Sequence, residues 1–209
     1  MTLSRERVED TALAILTRFG LADLSMRRLA RELDVQVGAL YWHVKNKQEL
    51  LVGVAARLLQ GLDTGNEPES SAQDHASSGV DPAPPASRDH VSGRAAVAAL
   101  AQGIRAALVN VPDSAEVVQV AQSLQPEALA PLNRLRTLLE AAEIENAAWA
   151  QHLVMNHVLG SIAAAQEAAR LAAVDLPGAT SPLGDDAFEW GLQILLDGLF
   201  GQPVPEPRP

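Results

Sequence analysis

The sequence predicts an all-α protein, and three observations support this fold class. Hydrophobic residues make up 47% of the 209 residues, whereas Phe, Trp and Tyr together make up only 3%. Small helix-forming residues, above all Ala, are abundant. Apolar residues recur at three- and four-residue spacings, which is typical of amphipathic helices, and long stretches lack the alternation typical of strands. We therefore expect helices packed around an apolar core.

The first 63 residues are expected to form four short helices. The first helix has an apolar face whose members lie three or four residues apart; they are Val8, Ala12, Ile15, Leu16 and Phe19. Ser4, Ser25 and Asn46 each precede a helical pattern, and their side chains are suited to accept a hydrogen bond from the first turn. Glu49 follows Asn46 by three residues, which is a capping-box pattern.

The second and third helices have the pattern of a helix-turn-helix unit. The second helix is expected to end near Asp34, and a turn of about three residues leads to a third helix over 37–44. Leu40 and Val44 lie four residues apart and are expected to face the core. Tyr41, Trp42 and His43 are expected to point to solvent. Large side chains exposed together on the surface indicate a partner that covers them.

Charge is distributed unevenly along the chain, whose net charge is −10. Residues 1–63 contain nine Lys and Arg against eight Asp and Glu, whereas the remainder contains seven against eighteen. Between Arg27 and Lys47 there are five basic and two acidic residues. A basic segment in an acidic protein indicates an anion-binding surface, although an ordinary solvated face has the same pattern.

The rest of the chain divides by composition. Residues 64–93 are acidic and rich in Pro and Ser, which predicts a flexible loop. Helical patterning resumes at about Ser92 and predicts a second helical domain over 94–201. Residues 202–209 contain four prolines and are expected to form a disordered tail.

Composition also excludes several classes of function. The chain has no Cys, so disulfides and thiolate chemistry are excluded. No uncharged apolar run reaches the length of a membrane-spanning helix, and the charged first ten residues do not resemble a secretory signal. We expect a cytoplasmic protein without membrane partners. No nucleophile-elbow, zinc-protease, phosphate-loop or dinucleotide motif occurs, so we expect neither an enzyme nor a cofactor or metal.

The string Tyr41-Trp42-His43-Val44-Lys45-Asn46-Lys47, preceded by Arg27-Arg28-Leu29-Ala30, resembles the DNA-binding domain of the TetR (tetracycline repressor) family, and in particular its tetracycline-repressor-like branch. The resemblance is dense over 3–51. It implies a homodimeric transcriptional repressor that binds palindromic double-stranded operator DNA and releases it when a small-molecule effector binds the C-terminal domain. The alternative is a helical ligand-binding or interaction protein on the same scaffold without specific DNA binding.

The resemblance also implies roles for residues of the DNA-binding domain. Arg27 would contact a base, whereas Ser25 and Tyr41 would hold phosphates. Trp42 and His43 would pack on sugar and phosphate, and Lys47 would clamp the backbone at the start of the fourth helix. The remaining predicted contacts come from Gln36, Val37, Gly38 and Ala39.

One departure from the family concerns the base-reading residues. Tetracycline repressors carry Gln-Pro-Thr where this chain has Val37-Gly38-Ala39, so this chain lacks an amide reader there. Apolar contact, for example to a thymine methyl group, is all that Val37 and Ala39 can offer. Whether the amide of Gln36 substitutes stays open, and we expect a different operator.

The C-terminal domain is expected to hold the effector and the dimer interface. A ligand pocket combines apolar and polar side chains; the predicted lining is Leu100, Ile104, Leu108, Val118, Trp149, His152, Met155, Asn156 and Leu159. A core helix with satisfied polar groups is the alternative. The resemblance implies a four-helix dimer interface from the last two helices, through Ala164, Ala168, Leu171, Phe188, Leu192, Leu195, Leu196 and Leu199. Here the alternative is an intramolecular core helix.

Magnesium–tetracycline is not the expected effector. Tetracycline repressors have a His at the end of the fourth helix, where this chain has Leu62-Asp63, and a second His where Val118 follows the stretch 113–117. The metal-binding imidazole is therefore missing. His152 and His157 lie five residues apart, too far around a helix to share a metal.

Overall fold

A computed structural model of the chain describes residues 3–62, 85–174 and 184–201. These residues form an all-α structure, so the predicted fold class is confirmed. The helices are α1 (Arg5–Phe19), α2 (Met26–Glu32), α3 (Val37–Leu40), α4 (Lys47–Leu58), α5 (Pro85–Leu108), α6 (Ser114–Leu124), α7 (Ala130–Ala141), α8 (Ala147–Ala173) and α9 (Asp185–Gly201), with a short 3-10 helix at Pro126–Ala128.

Helices α1 to α4 form an N-terminal unit whose boundaries are set by side-chain caps. Ser4 Oγ accepts a hydrogen bond from Arg7 N at 3.2 Å, and Asn46 Oδ1 accepts one from Glu49 N at 2.8 Å. These contacts confirm the predicted caps. The side chain of Glu49 accepts from Lys45 N at 2.9 Å rather than from Asn46 N, so the reciprocal half of the predicted capping box is displaced by one residue.

The core of the N-terminal unit differs from the prediction at one position. The predicted face of α1 is buried except for Phe19, which is exposed. The guanidinium groups of Arg18 and Arg28 lie 5.2 Å and 4.0 Å from the centre of its ring. Phe19 is the last residue of α1, so it lies beyond the helices that cover the rest of the face. Its ring is covered by the two guanidinium groups instead of by core side chains.

Helices α5 to α9 form a C-terminal body. α5, α7 and α8 pack against one another, α9 packs against α5 and α8, and α6 packs against both α8 and α4. The α4–α6 contact joins the body to the N-terminal unit. The described interior of the body is mainly apolar, and its buried polar residues include Ser114, Ser161 and Arg105. The Arg105 guanidinium stacks 4.7 Å from the centre of the Phe188 ring and pairs with Asp185 at 2.7 Å.

The predicted loop over 64–93 is too long. The helix α5 begins at Pro85, whereas the sequence predicted helical structure only from about Ser92. Proline fits the first turn of a helix because its missing N–H is not needed there and its φ is already near the helical value. The rest of that loop, the end of the predicted first domain at residue 63 and the predicted tail over 202–209 lie outside the described residues.

Candidate nucleic-acid interface

The turn between α2 and α3 sets the angle of the helix-turn-helix unit. α2 ends in a Schellman motif, in which Val35 N donates to Ala30 O at 3.0 Å and Asp34 N donates to Arg31 O at 3.2 Å. Asp34 adopts a left-handed conformation with φ 53°. Asp tolerates this conformation better than most residues. The sequence placed the turn near Asp34 but not this motif.

The third helix is shorter than the predicted 37–44. α3 covers Val37–Leu40, and the chain then turns through 41–43. His43 N donates to Leu40 O at 2.9 Å, which tightens the backbone to a three-residue spacing. Leu40 and Val44 are nevertheless fully buried, as predicted. The turn over 41–43 is therefore anchored to the core on both sides, by Leu40 before it and Val44 after it.

The turn after α3 presents two aromatic side chains to solvent. Trp42 is 89% exposed and Tyr41 is 50% exposed, whereas His43 is half-buried. The expected outward orientation of the two aromatic residues is confirmed. A Trp this exposed gains nothing from the fold, so a partner surface gives the physical reason for its position.

The Arg18 guanidinium stacks on the Phe19 ring, and the basic residues of the N-terminal unit other than Arg7 and Arg18 fall into two groups. Arg5, Arg28 and Arg57 pair with carboxylates of the same unit: Arg5 with Glu9 and Glu49, Arg28 with Asp23, and Arg57 with Glu9 and Asp10. The side chains of the second group have no hydrogen bond or ion pair to any described residue. This second group, which we call the free cations, is Arg27, Arg31, Lys45 and Lys47.

Glu49 fastens the start of α4 to α1. Its carboxylate accepts hydrogen bonds from Lys45 N and from the Arg5 guanidinium, both at 2.9 Å. The backbone N–H of Lys45 is the main reason that the pKa of Glu49 lies below its usual value, and Arg5 and the charge of Lys45 contribute. The connection between α3 and α4 is therefore fixed beside the free cations Lys45 and Lys47.

The other predicted DNA contacts differ in how available they are. Ser25 is exposed, but its Oγ already accepts a hydrogen bond from Arg28 N at 3.2 Å as the cap of α2. Gln36 is exposed and its side chain does not cap α3. Gly38 is exposed, while Val37 and Ala39 are half-buried. Gln36 is thus the member of this stretch that has a free amide.

The groove beside α8 brings together part of the predicted ligand set. Its volume is about 350 Å³, and three of those residues line it: Trp149, His152 and Asn156. The other six are buried in the core, and they are Leu100, Ile104, Leu108, Val118, Met155 and Leu159. The division follows from helix geometry, since about 100° per residue places Met155 about 120° from Trp149. The full predicted lining stays a prediction.

The predicted dimer stripe is mostly internal. Its residues Phe188, Leu192, Leu196 and Leu199 are buried within the subunit, and Ala164, Ala168, Leu171 and Leu195 are half-buried. The four buried residues therefore cannot form an interface, because this face of α9 packs against α5 and α8 of the same subunit. Trp190 and Ile194, on another side of α9, are 71% and 56% exposed.

The residues that the structure describes contain no group of three or more His, Cys, Asp or Glu side chains placed to hold a metal ion. None of the described helices combines the length and apolarity required to cross a membrane.

These features define a helix-turn-helix protein with an all-helical C-terminal body. The sequence model of the bacterial regulatory proteins of the tetR family matches residues 10–54. The crystal structure of Mycobacterium smegmatis BioQ is 32% identical, with a TM-score of 0.71 over 96% of this chain and 99% of that chain. The chain belongs to the tetR family.

Other relatives extend the comparison. The class D tetracycline repressor of Escherichia coli is 46% identical over 57 residues, which is 27% of this chain and 26% of that protein. The match thus spans about a quarter of that curated relative. A structure of BioQ with its double-stranded DNA operator is 31% identical, with a TM-score of 0.67, over 96% of this chain and 100% of that one. Streptomyces coelicolor ActR in complex with (S)-DNPA is 26% identical, with a TM-score of 0.69, over 96% and 99%.

Proposed function

We propose that this protein is a transcriptional repressor that binds a palindromic operator as a homodimer and leaves it when a small molecule other than magnesium–tetracycline binds. One observation carries the proposal: the four free cations and the exposed Tyr41 and Trp42 all belong to the stretch from the start of α2 to the start of α4. Cations that the fold leaves unpaired are available to phosphates. The operator complex of the relative BioQ supports the same assignment.

In the proposed complex each part of the interface has a distinct role. Arg27, in the first turn of α2, reaches a base edge, and the amide of Gln36 is free to read another. Tyr41, His43 and Lys47 contact phosphates, and Trp42 packs on sugar. Val37 and Ala39 make apolar contacts, Gly38 leaves room for the backbone to approach, and the Ser25 hydroxyl donates to a phosphate while its oxygen caps α2.

The homodimer uses a face that the subunit leaves open. Trp190 and Ile194 lie one helical turn apart on α9 and are both exposed. Burying such side chains against a second copy removes apolar area from water. A dimer also presents two reading units to two half-sites, which a single unit of this size needs for specific binding.

The groove beside α8 is the proposed effector site. It places the Trp149 indole beside the polar groups of His152 and Asn156, a combination that suits an aromatic ligand with hydrogen-bonding groups. The positions at which tetracycline repressors carry imidazoles hold Leu62-Asp63 and Val118 here, and Val118 is fully buried. Neither position offers an imidazole, which supports an effector of another kind.

Selection from random duplex DNA tests the DNA-binding proposal. We expect wild-type protein to enrich a palindromic duplex, whose dissociation constant is then measured by fluorescence anisotropy. The double variant Arg27→Ala/Tyr41→Ala should weaken binding by at least about 100-fold, since each group is worth about 1–3 kcal/mol per site. Arg136→Ala, at an exposed arginine of α7, is the matched control and should bind as wild type.

Two results would contradict the proposal. Enrichment of no duplex would favour an interaction protein on the same scaffold. Equal affinity of the double variant and wild type, with circular dichroism and sedimentation unchanged, would place the DNA interface elsewhere.

A further inference from the structure

The N-terminal unit and the body meet at a second contact, between the end of α1 and the residue that precedes α6. Asp113, in the connection between α5 and α6, accepts a hydrogen bond from Leu21 N at 2.7 Å through Oδ2. Leu21 follows Gly20, which ends α1 with φ 78°. A Cβ at Gly20 would lie 2.8 Å from the same Asp113 oxygen, so glycine is needed here for both its φ and its small size.

Asp113 faces the N-terminal unit although it is placed to cap a helix. It precedes the first residue of α6, but its side chain makes no capping hydrogen bond. Its backbone is left-handed, with φ 59°, a conformation that costs energy in a residue other than glycine. The contact with Leu21 offsets this cost, because it satisfies a part-buried N–H with a charged acceptor.

The end of α8 holds Asp113 from the other side. The Arg170 guanidinium donates to Asp113 Oδ1, so the two carboxylate oxygens serve different units of the protein. One turn earlier, Gln166 Nε2 donates to Val111 O at 2.7 Å and to Ser114 Oγ at 3.2 Å. The connection between α5 and α6 is therefore fixed to α8 by two side chains.

α8 also reaches the groove described above. It has 27 residues, so it is about 40 Å long at 1.5 Å per residue. Trp149, His152 and Asn156 line the groove in its N-terminal half, while Gln166 and Arg170 lie near its C-terminal end. His152 Nδ1 also lies 3.2 Å from Gln122 Nε2 of α6. One continuous helix thus links the groove to the Asp113 contact.

We propose that Asp113 is a positioning residue for operator binding and that Arg170 orients it. The Asp113 carboxylate fixes the α1–α2 connection, and with it α2 and the residues after α3, at one distance from the body. A displacement of α8 withdraws Arg170, and the carboxylate then loses its alignment with Leu21 N. This inference rests on the proposed function, because the geometry that it describes matters only if the unit reads DNA.

Operator affinity of three variants tests the inference on the duplex selected by the wild type. We expect Asp113→Ala to weaken binding about tenfold, and Asp113→Asn and Arg170→Gln to weaken it about threefold, since each removes only part of the contact. Arg170→Gln should have no effect in the Asp113→Ala background, because both changes act through one interaction. Glu116→Gln, at an exposed carboxylate of α6, is the matched control.

Amide exchange shows whether a substitution acts locally at this contact or destabilises the whole fold. In Asp113→Ala the Leu21 amide should exchange at least about tenfold faster, while amides in the middle of α4 keep their wild-type rates. Operator affinity equal to wild type in all three variants, or effects of Asp113→Ala and Arg170→Gln that add, would overturn the inference while leaving the proposed function intact. Failure of the wild type to select any duplex would overturn both.

Discussion

The N-terminal unit and the C-terminal body both enclose an apolar core, and they differ in the charged groups that they leave exposed. The N-terminal unit fixes its helices with polar contacts such as the Ser4 and Asn46 caps, and it leaves the free cations outside. The body packs an almost entirely apolar interior and leaves apolar side chains outside, with Trp149 68% and Trp190 71% exposed. The two outer surfaces therefore suit different partners: a polyanion for the first, and an apolar ligand or a second subunit for the other.

The largest expected effect tests the apolar interior of the body. Leu192 is fully buried, so Leu192→Ala should lower the free energy of unfolding by about 3 kcal/mol, in urea denaturation, at every protein concentration. Ile194→Ala, two residues away on the exposed face, is the matched variant. It should weaken dimerisation in sedimentation, with a stability loss that disappears on dilution. If Ile194→Ala left the dimer unchanged, the assignment of the open face of α9 would be wrong.

A second variant tests the polar frame of the N-terminal unit. A Cβ at Gly53 of α4 would lie 2.3 Å from Glu9 Oε1, and Glu9 is a buried carboxylate paired with Arg5 and Arg57. Gly53→Ala should therefore cost about 2 kcal/mol of stability, since the clash displaces a buried ion pair. Gly38→Ala is the control, because nothing lies within 4 Å of its Cβ position. Equal thermal midpoints for the two variants would contradict this role of Glu9.

The cap of α4 gives a smaller effect of the same kind. Asn46→Ala removes the acceptor for Glu49 N and should lower stability by about 1 kcal/mol, measured by urea denaturation. Asn46→Asp keeps an acceptor at the same place and should retain most of the stability. A full loss in Asn46→Asp would show that the amide nitrogen, rather than the cap, matters.

The smallest expected effect is a pH dependence at Glu49. Its pKa is lowered in the folded state, so the stabilisation is present above the usual value of 4.5 and is lost as the pH falls through the folded pKa. Glu49→Gln should be less stable than wild type by at most about 1 kcal/mol at pH 7, because the group is partly exposed. In urea denaturation the difference should vanish once the pH has fallen below the folded pKa of Glu49, which lies below 4.5. A difference independent of pH would contradict this account.

The same comparison explains what the sequence could predict. Ser4, Asn46, Leu40 and Val44 have roles that depend on residues within four positions, and all four were predicted correctly. Local rules did not predict the short α3, because the turn in which His43 N and Val44 N both donate to Leu40 O contains no Gly or Pro to mark it. Nor did they predict the contact between Asp113 and Leu21, whose partners lie 92 residues apart.

The body was predicted less well for a physical reason. Helical periodicity shows which residues share a face but not which neighbour covers that face. The stripe through Leu192 and Leu196 was therefore assigned to a second subunit, although α5 and α8 of the same subunit cover it. The predicted ligand set divides between core and groove for the same reason, since Met155 and Leu159 are buried in the core while Trp149 lines the groove.

The salt dependence of operator binding tests the central claim most directly, namely that the free cations neutralise DNA phosphates. We predict that the logarithm of the binding constant falls steeply with the logarithm of salt concentration for the wild-type dimer. Lys47→Ala should reduce the slope by about two, one phosphate contact per subunit, while Arg136→Ala leaves it unchanged. A wild-type slope near zero, or the same slope for Lys47→Ala and wild type, would contradict the claim.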